Sequence, residues 1–134
     1  MTLYLLDTNI ASHIIKGDLP QVMQHLLSVP MRDVAVSVIT EAELQYGIAK
    51  RGNPQGLATR VREFLIRVEV LPWTQEVALV YGELRAECER VGATLAAMDM
   101  LIAAHAKAIG ATLVTRNKTF SLIPNGFILE DWTL

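Results

Sequence analysis

The sequence predicts an α/β fold in which a mostly parallel central sheet is flanked by helices, in a single domain over residues 1–134. Short apolar runs alternate along the chain with longer segments of helical spacing, which is typical of βαβ units. The length of 134 residues is enough for one core. Hydrophobic residues make up 51% of the chain, a content that argues against a disordered protein.

The predicted strands are short apolar runs bounded by turn residues. The first of them, Leu3-Tyr4-Leu5-Leu6, is continuously apolar and therefore predicts a strand buried on both faces. Pro72 stops the third run, because proline cannot donate to a sheet. The five predicted strands are residues 3–6, 34–37, 68–71, 112–115 and 127–129.

The predicted helices are recognised by apolar residues at helical spacing and by end signals. Thr74 can cap a long helix, and Gly17, Gly92 and Gly110 each stand where a helix commonly ends. Residues 52–56 form a loop between two of the helices. The predicted helices are residues 10–16, 20–27, a segment from Ser37 or Thr40 to about Lys50, 57–68, 75–91, and one that starts at Asp99 and ends before Gly110.

Composition excludes several classes of protein. The net charge of −2 argues against a protein that binds nucleic acid through overall basicity. Binding through a local basic rim is compatible with this charge. Cys88 is the only cysteine, so there is no internal disulfide, and we expect a small buried residue. There is no signal-peptide pattern and no apolar run of about 18 residues, so a soluble cytoplasmic protein without membrane contact is expected.

Three acidic residues follow apolar segments at the predicted starts of helices. Asp7 comes directly after the first strand and opens the turn Asp7-Thr8-Asn9, the position at which open α/β sheets bind their ligands. Glu43 and Asp99 stand in comparable settings. Three carboxylates gathered from distant segments would repel one another unless a cation lay between them. Because Mg²⁺ prefers oxygen ligands, the pattern predicts a divalent metal site suited to phosphodiester cleavage.

Each acid also has a purely structural interpretation. Asp7 can cap the next helix, and Asp99 can be an N-cap carboxylate favoured by the helix dipole. Thr40 and Glu43 fit a capping box, in which the glutamate bonds back to the threonine backbone. Glu41 projects from nearly the opposite helix face to Glu43, and local pattern does not decide which of the two points towards Asp7.

Several neighbouring residues are candidates for supporting roles. Thr8, Asn9 and Thr115 can position Asp7 or bind phosphate, although turn geometry alone also explains them. Arg116 and Lys118 either contact the phosphate of a substrate or belong to a solvated loop. The three histidines lack the paired spacing of a zinc site, and His105, in an apolar stretch, is predicted to be a core residue.

Taken in order, four stretches of the chain resemble the PIN-domain family, specifically the VapC-like ribonuclease toxins of bacterial type II toxin–antitoxin systems. Each stretch alone is a weak signal, whereas the ordered set spans nearly the whole chain at fitting intervals. The stretches are Leu5-Leu6-Asp7-Thr8-Asn9, residues 37–47, Asp99-Met100-Leu101-Ile102-Ala103-Ala104-His105-Ala106, and Leu113-Val114-Thr115-Arg116-Asn117.

The resemblance implies a three-layer α/β/α domain and an endoribonuclease that inhibits translation, often by cutting transfer RNA, with the anticodon region of initiator tRNA as a candidate target. It implies that Asp7, Glu43 and Asp99 hold Mg²⁺ or Mn²⁺, and it favours Glu43 over Glu41 because the acid precedes a Leu-x-Tyr-Gly segment. Cleavage leaving a 5′-phosphate and a 3′-hydroxyl is implied as well. A cognate antitoxin and a homodimer complete the expectation.

The sequence departs from the family pattern at one place. Many relatives carry a further acid shortly after the Thr-x-Asn segment, whereas residues 115–120 contain none. Asn117 can still orient a ligand or a water through its amide. The missing acid leaves the number of metal ions open and motivates an alternative, a non-catalytic PIN-like module that binds RNA or a protein. A DNA-directed nuclease of the same group is a third interpretation.

Overall fold

The structure, a computed structural model, describes residues 2–124 and 126–134. Within these residues the strands are β1 (Tyr4–Leu6), β2 (Val34–Ser37), β3 (Glu69–Leu71), β4 (Thr112–Val114) and β5 (Leu129–Glu130). The α-helices are α1 (Thr8–Lys16), α2 (Pro20–Leu27), α3 (Val38–Lys50), α4 (Gln55–Arg67), α5 (Gln75–Val91) and α6 (Ala97–Ile109). Two 3₁₀ helices cover Met31–Asp33 and Lys118–Leu122.

The strands form one sheet in the order β3-β2-β1-β4-β5, and each of these pairings is parallel. In the register, Leu5 lies opposite Ala35 on one side and Leu113 on the other. Parallel strands need crossover connections, which the intervening helices supply. The predicted parallel sheet is therefore confirmed, with β1 at its centre.

The two faces of the sheet carry separate apolar cores, because successive side chains of a strand point to opposite faces. Leu5, Ala35 and Leu113 pack with residues of α5 and α6, whereas Leu6, Val36 and Val114 pack with residues of α1, α2, α3 and α4. The chain thus forms three layers, two of helices with the sheet between them. This confirms the expected α/β/α architecture.

Two predicted helix starts were wrong or undecided. Ser37, and not Thr40, caps α3, since its Oγ accepts a hydrogen bond from the Ile39 N–H at 3.0 Å. Helix α6 begins at Ala97, two residues before the predicted start at Asp99. The carbonyl of Ala96 accepts from the Met100 N–H at 3.0 Å, so alanines of high helix propensity extend this helix towards the N-terminus.

Other boundaries also moved. Helix α4 begins at Gln55, so the predicted loop over residues 52–56 is shorter than expected. Strand β5 overlaps the predicted range 127–129 only at Leu129 and extends to Glu130. The carbonyls of Ile128 and Glu130 accept from the N–H groups of Leu113 and Thr115, both at 2.9 Å. Pairing with the neighbouring strand, and not the apolar run, fixes its position.

The core contains the residues predicted for it. Cys88 is a buried free thiol, and burial raises its pKa above the usual range. His105 is also buried, as predicted. In the described ranges, every helix is too short or too polar to cross a membrane.

Leu5→Ala should lower the free energy of unfolding by about 2–5 kcal/mol, because it leaves a cavity at the centre of the sheet, where Leu5 is 0% exposed. Leu79→Ala is the matched control, since that side chain is 64% exposed and should change stability by less than about 0.5 kcal/mol. Urea unfolding followed by circular dichroism measures both values. Equal losses in the two variants would contradict the placement of β1.

Candidate active site

A cleft opens at the carboxyl ends of the central strands. Strand β1 lies at the point where the strand order reverses, with β2 on one side and β4 on the other. Ligands of open α/β sheets bind at such a switch point, outside the carboxyl ends of the strands. Asp7 follows β1 and Thr115 follows β4, while β2 leads directly into α3, which carries Glu43.

The cleft gathers side chains from four segments of the chain. It contains the three acids that the sequence singled out, three of their predicted supporting residues and two further residues. The lining comprises Asp7, Thr8, Asn9, Ser12, Glu43, Asp99, Arg116 and Asn117. Sequence analysis missed Ser12, although its position one helical turn after Thr8 places both on the same face of α1.

Asp7 caps a helix and also lines the cleft. Its Oδ1 accepts a hydrogen bond from the Ile10 N–H at 2.8 Å, so it caps α1, and it also lines the cleft. The pKa of Asp7 is raised to about 6, chiefly by burial and in smaller part by the charges of Asp99 and Glu43. Hydrogen bonds from the Thr115 hydroxyl and the Ile10 amide act in the opposite direction.

Glu43 is held by a chain of two hydroxyl groups. The Thr8 hydroxyl donates to Glu43 Oε1 at 2.5 Å, and Thr40 Oγ1 lies 3.2 Å from Thr8 Oγ1. Since the Thr8 proton points to the carboxylate, the fully buried Thr40 hydroxyl is the donor of the second bond. The capping-box interpretation of Thr40 and Glu43 is therefore wrong. Glu41 lines a different groove, between α3 and α4, so Glu43 is the acid that faces Asp7.

Thr40 is a site residue that the sequence analysis considered only as a helix cap. Its spacing of three residues from Glu43 was the available signal, because residues i and i+3 lie on one face of a helix. Its role depends on Thr8, which comes from a segment 32 residues away, and that neighbour is known only from the fold.

Asp99 lies in the first turn of α6 and not at its cap, so the N-cap interpretation is wrong. Its Oδ2 is 3.4 Å from Asn117 Nδ2, which donates to it. Burial and the charge of Glu43 raise the pKa of Asp99, and the bond from Asn117 lowers it. Asn117 Oδ1 in turn accepts from the Thr119 N–H at 3.0 Å, so this amide is fixed at both ends.

A buried polar pair connects the two helices that carry Glu43 and Asp99. His105 Nδ1, on α6, lies 2.7 Å from Oγ of Ser37, which caps α3. Both residues are at most 1% exposed, and burial lowers the pKa of His105, which favours the neutral imidazole. This bond fixes the start of α3 against α6, and hence the mutual position of the two acids.

The donor set of the cleft fits a divalent cation bound partly through water. Its candidate ligands are carboxylate oxygens, which Mg²⁺ prefers, and like charges within the cleft raise the pKa of Asp7 and Asp99. Among the residues that the structure describes, no three acidic, histidine or cysteine side chains stand close enough to ligate one ion directly. Mg²⁺ usually keeps several waters and takes one or two carboxylates, which this spacing allows.

Asp7→Asn should stabilise the metal-free protein at pH 7.5 by on the order of 1–3 kcal/mol. The pKa of Asp7 is about 6 in the folded chain against 3.8 as its ordinary value. The folded state therefore binds more protons between these values, and wild-type stability falls as the pH rises through this window. The difference between the proteins should vanish as the pH falls towards 4.

Urea unfolding in the presence of a chelator, at several pH values, measures this difference. Asp99→Asn is the internal comparison. It should also raise the free energy of unfolding, but by less, because Asp99 is less buried than Asp7. An Asp7→Asn protein less stable than wild type at pH 7.5 would contradict the electrostatic description of the cleft.

Comparison with known proteins agrees with this geometry. Residues 4–125 match the PIN domain family. The chain is 40% identical over 132 residues to Ribonuclease VapC2 of Rickettsia felis, with 97% of this chain and 98% of that protein covered. It is 35% identical over 133 residues to the tRNA(fMet)-specific endonuclease VapC of Salmonella typhimurium, with 98% and 99% covered.

Solved structures show the same likeness. The crystal structure of VapBC2 from Rickettsia felis, bound to a DNA fragment from its promoter, superposes with a TM-score of 0.89 at 37% identity and covers 98% of this chain and 99% of that chain. The resemblance inferred from the ordered motifs is thereby confirmed. The chain belongs to the PIN domain family and, within it, to the VapC-like proteins.

Proposed function

We propose that the protein is a metal-dependent endoribonuclease that acts as the toxin of a toxin–antitoxin pair. The observation that carries the proposal is the single cleft to which Asp7, Glu43 and Asp99 contribute carboxylates from three separate segments. The names of the relatives, a ribonuclease and a tRNA(fMet)-specific endonuclease, support RNA as the substrate and transfer RNA as its class. Cleavage of tRNA would inhibit translation.

The proposed partner is an antitoxin protein. The solved structure from Rickettsia felis is a VapBC2 complex, which supports a protein partner of this kind for the present chain. A homodimer and a cytoplasmic location belong to the same proposal. Sedimentation of the purified protein measures its oligomeric state directly.

The chemistry follows from the groups that the cleft supplies. Asp7, Glu43 and Asp99 would hold Mg²⁺, or Mn²⁺ in its place, with Glu43 acting directly or through an intervening water. When bound, such an ion activates water for attack and neutralises charge on the phosphate. Attack of water on phosphorus that breaks the bond to the 3′ oxygen would leave a 5′-phosphate and a 3′-hydroxyl.

The protein's own contribution is orientation. The bond from the Ile10 amide fixes Asp7, the Thr8 hydroxyl fixes Glu43, and the Asn117 amide fixes Asp99. Each of these bonds uses only part of the acceptor capacity of its carboxylate, so lone pairs remain for a ligand. Preformed groups of this kind need little rearrangement when a charged substrate binds.

A non-catalytic module that binds RNA or a protein is the second candidate function. The observation that favours it is Asn117, an amide at a place where many relatives carry an acid. Such a module would bind RNA with the same cleft but leave it intact. The cleavage experiment below separates the two functions.

Purified protein incubated with unfractionated tRNA and Mg²⁺ should cut it, and an excess of chelator should stop the reaction. Asp7→Asn, Glu43→Gln and Asp99→Asn should each lower the rate roughly 10²-fold or more, because each removes a charge that faces the ion and the phosphate. Gel analysis of end-labelled tRNA measures the rate and shows which end carries the phosphate.

Glu41→Gln is the matched control for Glu43→Gln. It removes the same charge at a position two residues earlier, where the side chain lines a different groove. It should leave the rate unchanged. Binding of tRNA without cleavage would favour the non-catalytic module, and cleavage of single- or double-stranded DNA in its place would favour a DNA-directed nuclease.

Thr40→Val should lower both the rate and the affinity for Mn²⁺ by about 10- to 100-fold, because Glu43 loses the hydroxyl chain that orients it. Thr40→Ser keeps the hydroxyl and should stay close to wild type. Titration of Mn²⁺ by electron paramagnetic resonance measures binding independently of cleavage. If the two variants bound Mn²⁺ equally, Thr40 would have no part in positioning Glu43.

A further inference from the structure

The acid cleft continues into a second groove. This groove lies between α1, α3 and α4, and it shares Thr8, Ser12 and Glu43 with the cleft. Aliphatic side chains, among them Leu44 and Val61, form its floor. A linear ligand placed across the acids can therefore extend along α1 without leaving the depression.

Cationic side chains line both parts of this combined depression. Arg116 lines the cleft, and Lys16 and Arg51 line the groove. Within residues 2–124 and 126–134, none of the three forms an ion pair with a carboxylate. By contrast, Arg85 and Arg90 on α5 pair with glutamates of their own helix.

Arg116 contacts a histidine ring beside the cleft. His13 Nδ1 lies 2.9 Å from Asp18 Oδ1, and that hydrogen bond lowers the pKa of Asp18, which keeps it an ionised acceptor. In the tautomer with the proton on His13 Nδ1, Nε2 keeps its lone pair. Arg116 Nη1 lies 3.4 Å from this Nε2 and donates to it. The guanidinium is thus oriented by a contact that does not pair its positive charge with a carboxylate.

We propose that a single strand of RNA lies along this combined groove, with backbone phosphates at Arg116 in the cleft and at Lys16 and Arg51 in the groove. The inference rests on the proposed function, since it assigns the path of the same substrate. A chain with a net charge of −2 and three acids in its cleft repels a polyanion, so local cations have to supply the attraction. Cations in both the cleft and the groove match a strand that passes through both.

Binding is measured with a fluorescently labelled 12-nucleotide single-stranded RNA in Mg²⁺, by anisotropy, in an Asp7→Asn background that does not cut it. Arg116→Gln, Lys16→Gln and Arg51→Gln should each weaken binding roughly three- to tenfold. Each should also reduce the slope of log affinity against log salt by about 0.7, the value for one phosphate contact on a single strand. Arg116→Lys keeps the charge and should lose less.

Lys50→Gln is the matched control for Arg51→Gln. It removes the neighbouring charge, but the Lys50 ammonium lies over the ring of Tyr46, 5.9 Å from its centroid, and outside the groove. Affinity and salt slope should stay unchanged in this variant. All of the substituted side chains are exposed or on the surface of the groove, and circular dichroism verifies that each variant is folded.

Equal losses of RNA affinity in Lys50→Gln and Arg51→Gln would overturn the proposal. Affinity would then depend on the total charge of the protein and not on the groove. The groove would be assigned to the protein partner if all three variants bound RNA unchanged but no longer bound a co-expressed antitoxin protein. If wild-type protein cuts tRNA while the groove variants bind as tightly as their parent, the groove assignment alone fails. If wild-type protein neither binds nor cuts RNA, the proposed function fails with it.

Discussion

The pairing of β1 with β2 on one side and β4 on the other determines where the polar groups of the cleft lie. Three parallel strands that end at the same edge bring Asp7, Thr115 and the start of α3 together, although these segments are far apart in the chain. The apolar residues of the strands bury both faces of the sheet and thereby fix this register. The carboxylates gain their proximity from the stability of the core, which has to exceed the repulsion between them.

That repulsion is visible in the raised pKa of Asp7 and of Asp99, to which burial and neighbouring acids both contribute. Among the described residues, no salt bridge joins these acids to a lysine, arginine or histidine. Instead, the protein surrounds them with hydroxyl, amide and backbone donors, which orient an anion without cancelling its charge. The buried hydrogen bond between His105 and Ser37 also helps to orient the acids, since it joins the helices that carry two of them.

Much of this arrangement was predictable from the sequence, because it depends on local signals. Asp7 follows a strand, and helix ends at Gly17, Gly92 and Gly110 have left-handed backbone angles that glycine adopts readily. The alternation of strands and helices was sufficient to predict a parallel sheet. For the choice of Glu43 over Glu41, the resemblance to a family gave the answer that helical periodicity alone left open.

The remaining features depend on partners that are distant in the sequence. The role of Thr40 requires Thr8, and that of His105 requires Ser37, 68 residues away. The position of β5 follows from its bonds to β4 and not from its own apolar run. The start of α6 moved because helix propensity near Ala97 outweighed the capping preference of Asp99. In each case a tertiary contact or a neighbouring propensity competed with the local signal.

Asn117 fixes one side of the cleft through an uncharged amide group. Its amide donates to Asp99 through Nδ2 and accepts from Thr119 through Oδ1, so both ends of one uncharged group are used. A carboxylate in that place would add a negative charge and offer Asp99 no donor unless it were protonated. This part of the cleft is therefore preorganised by a group that does not itself titrate.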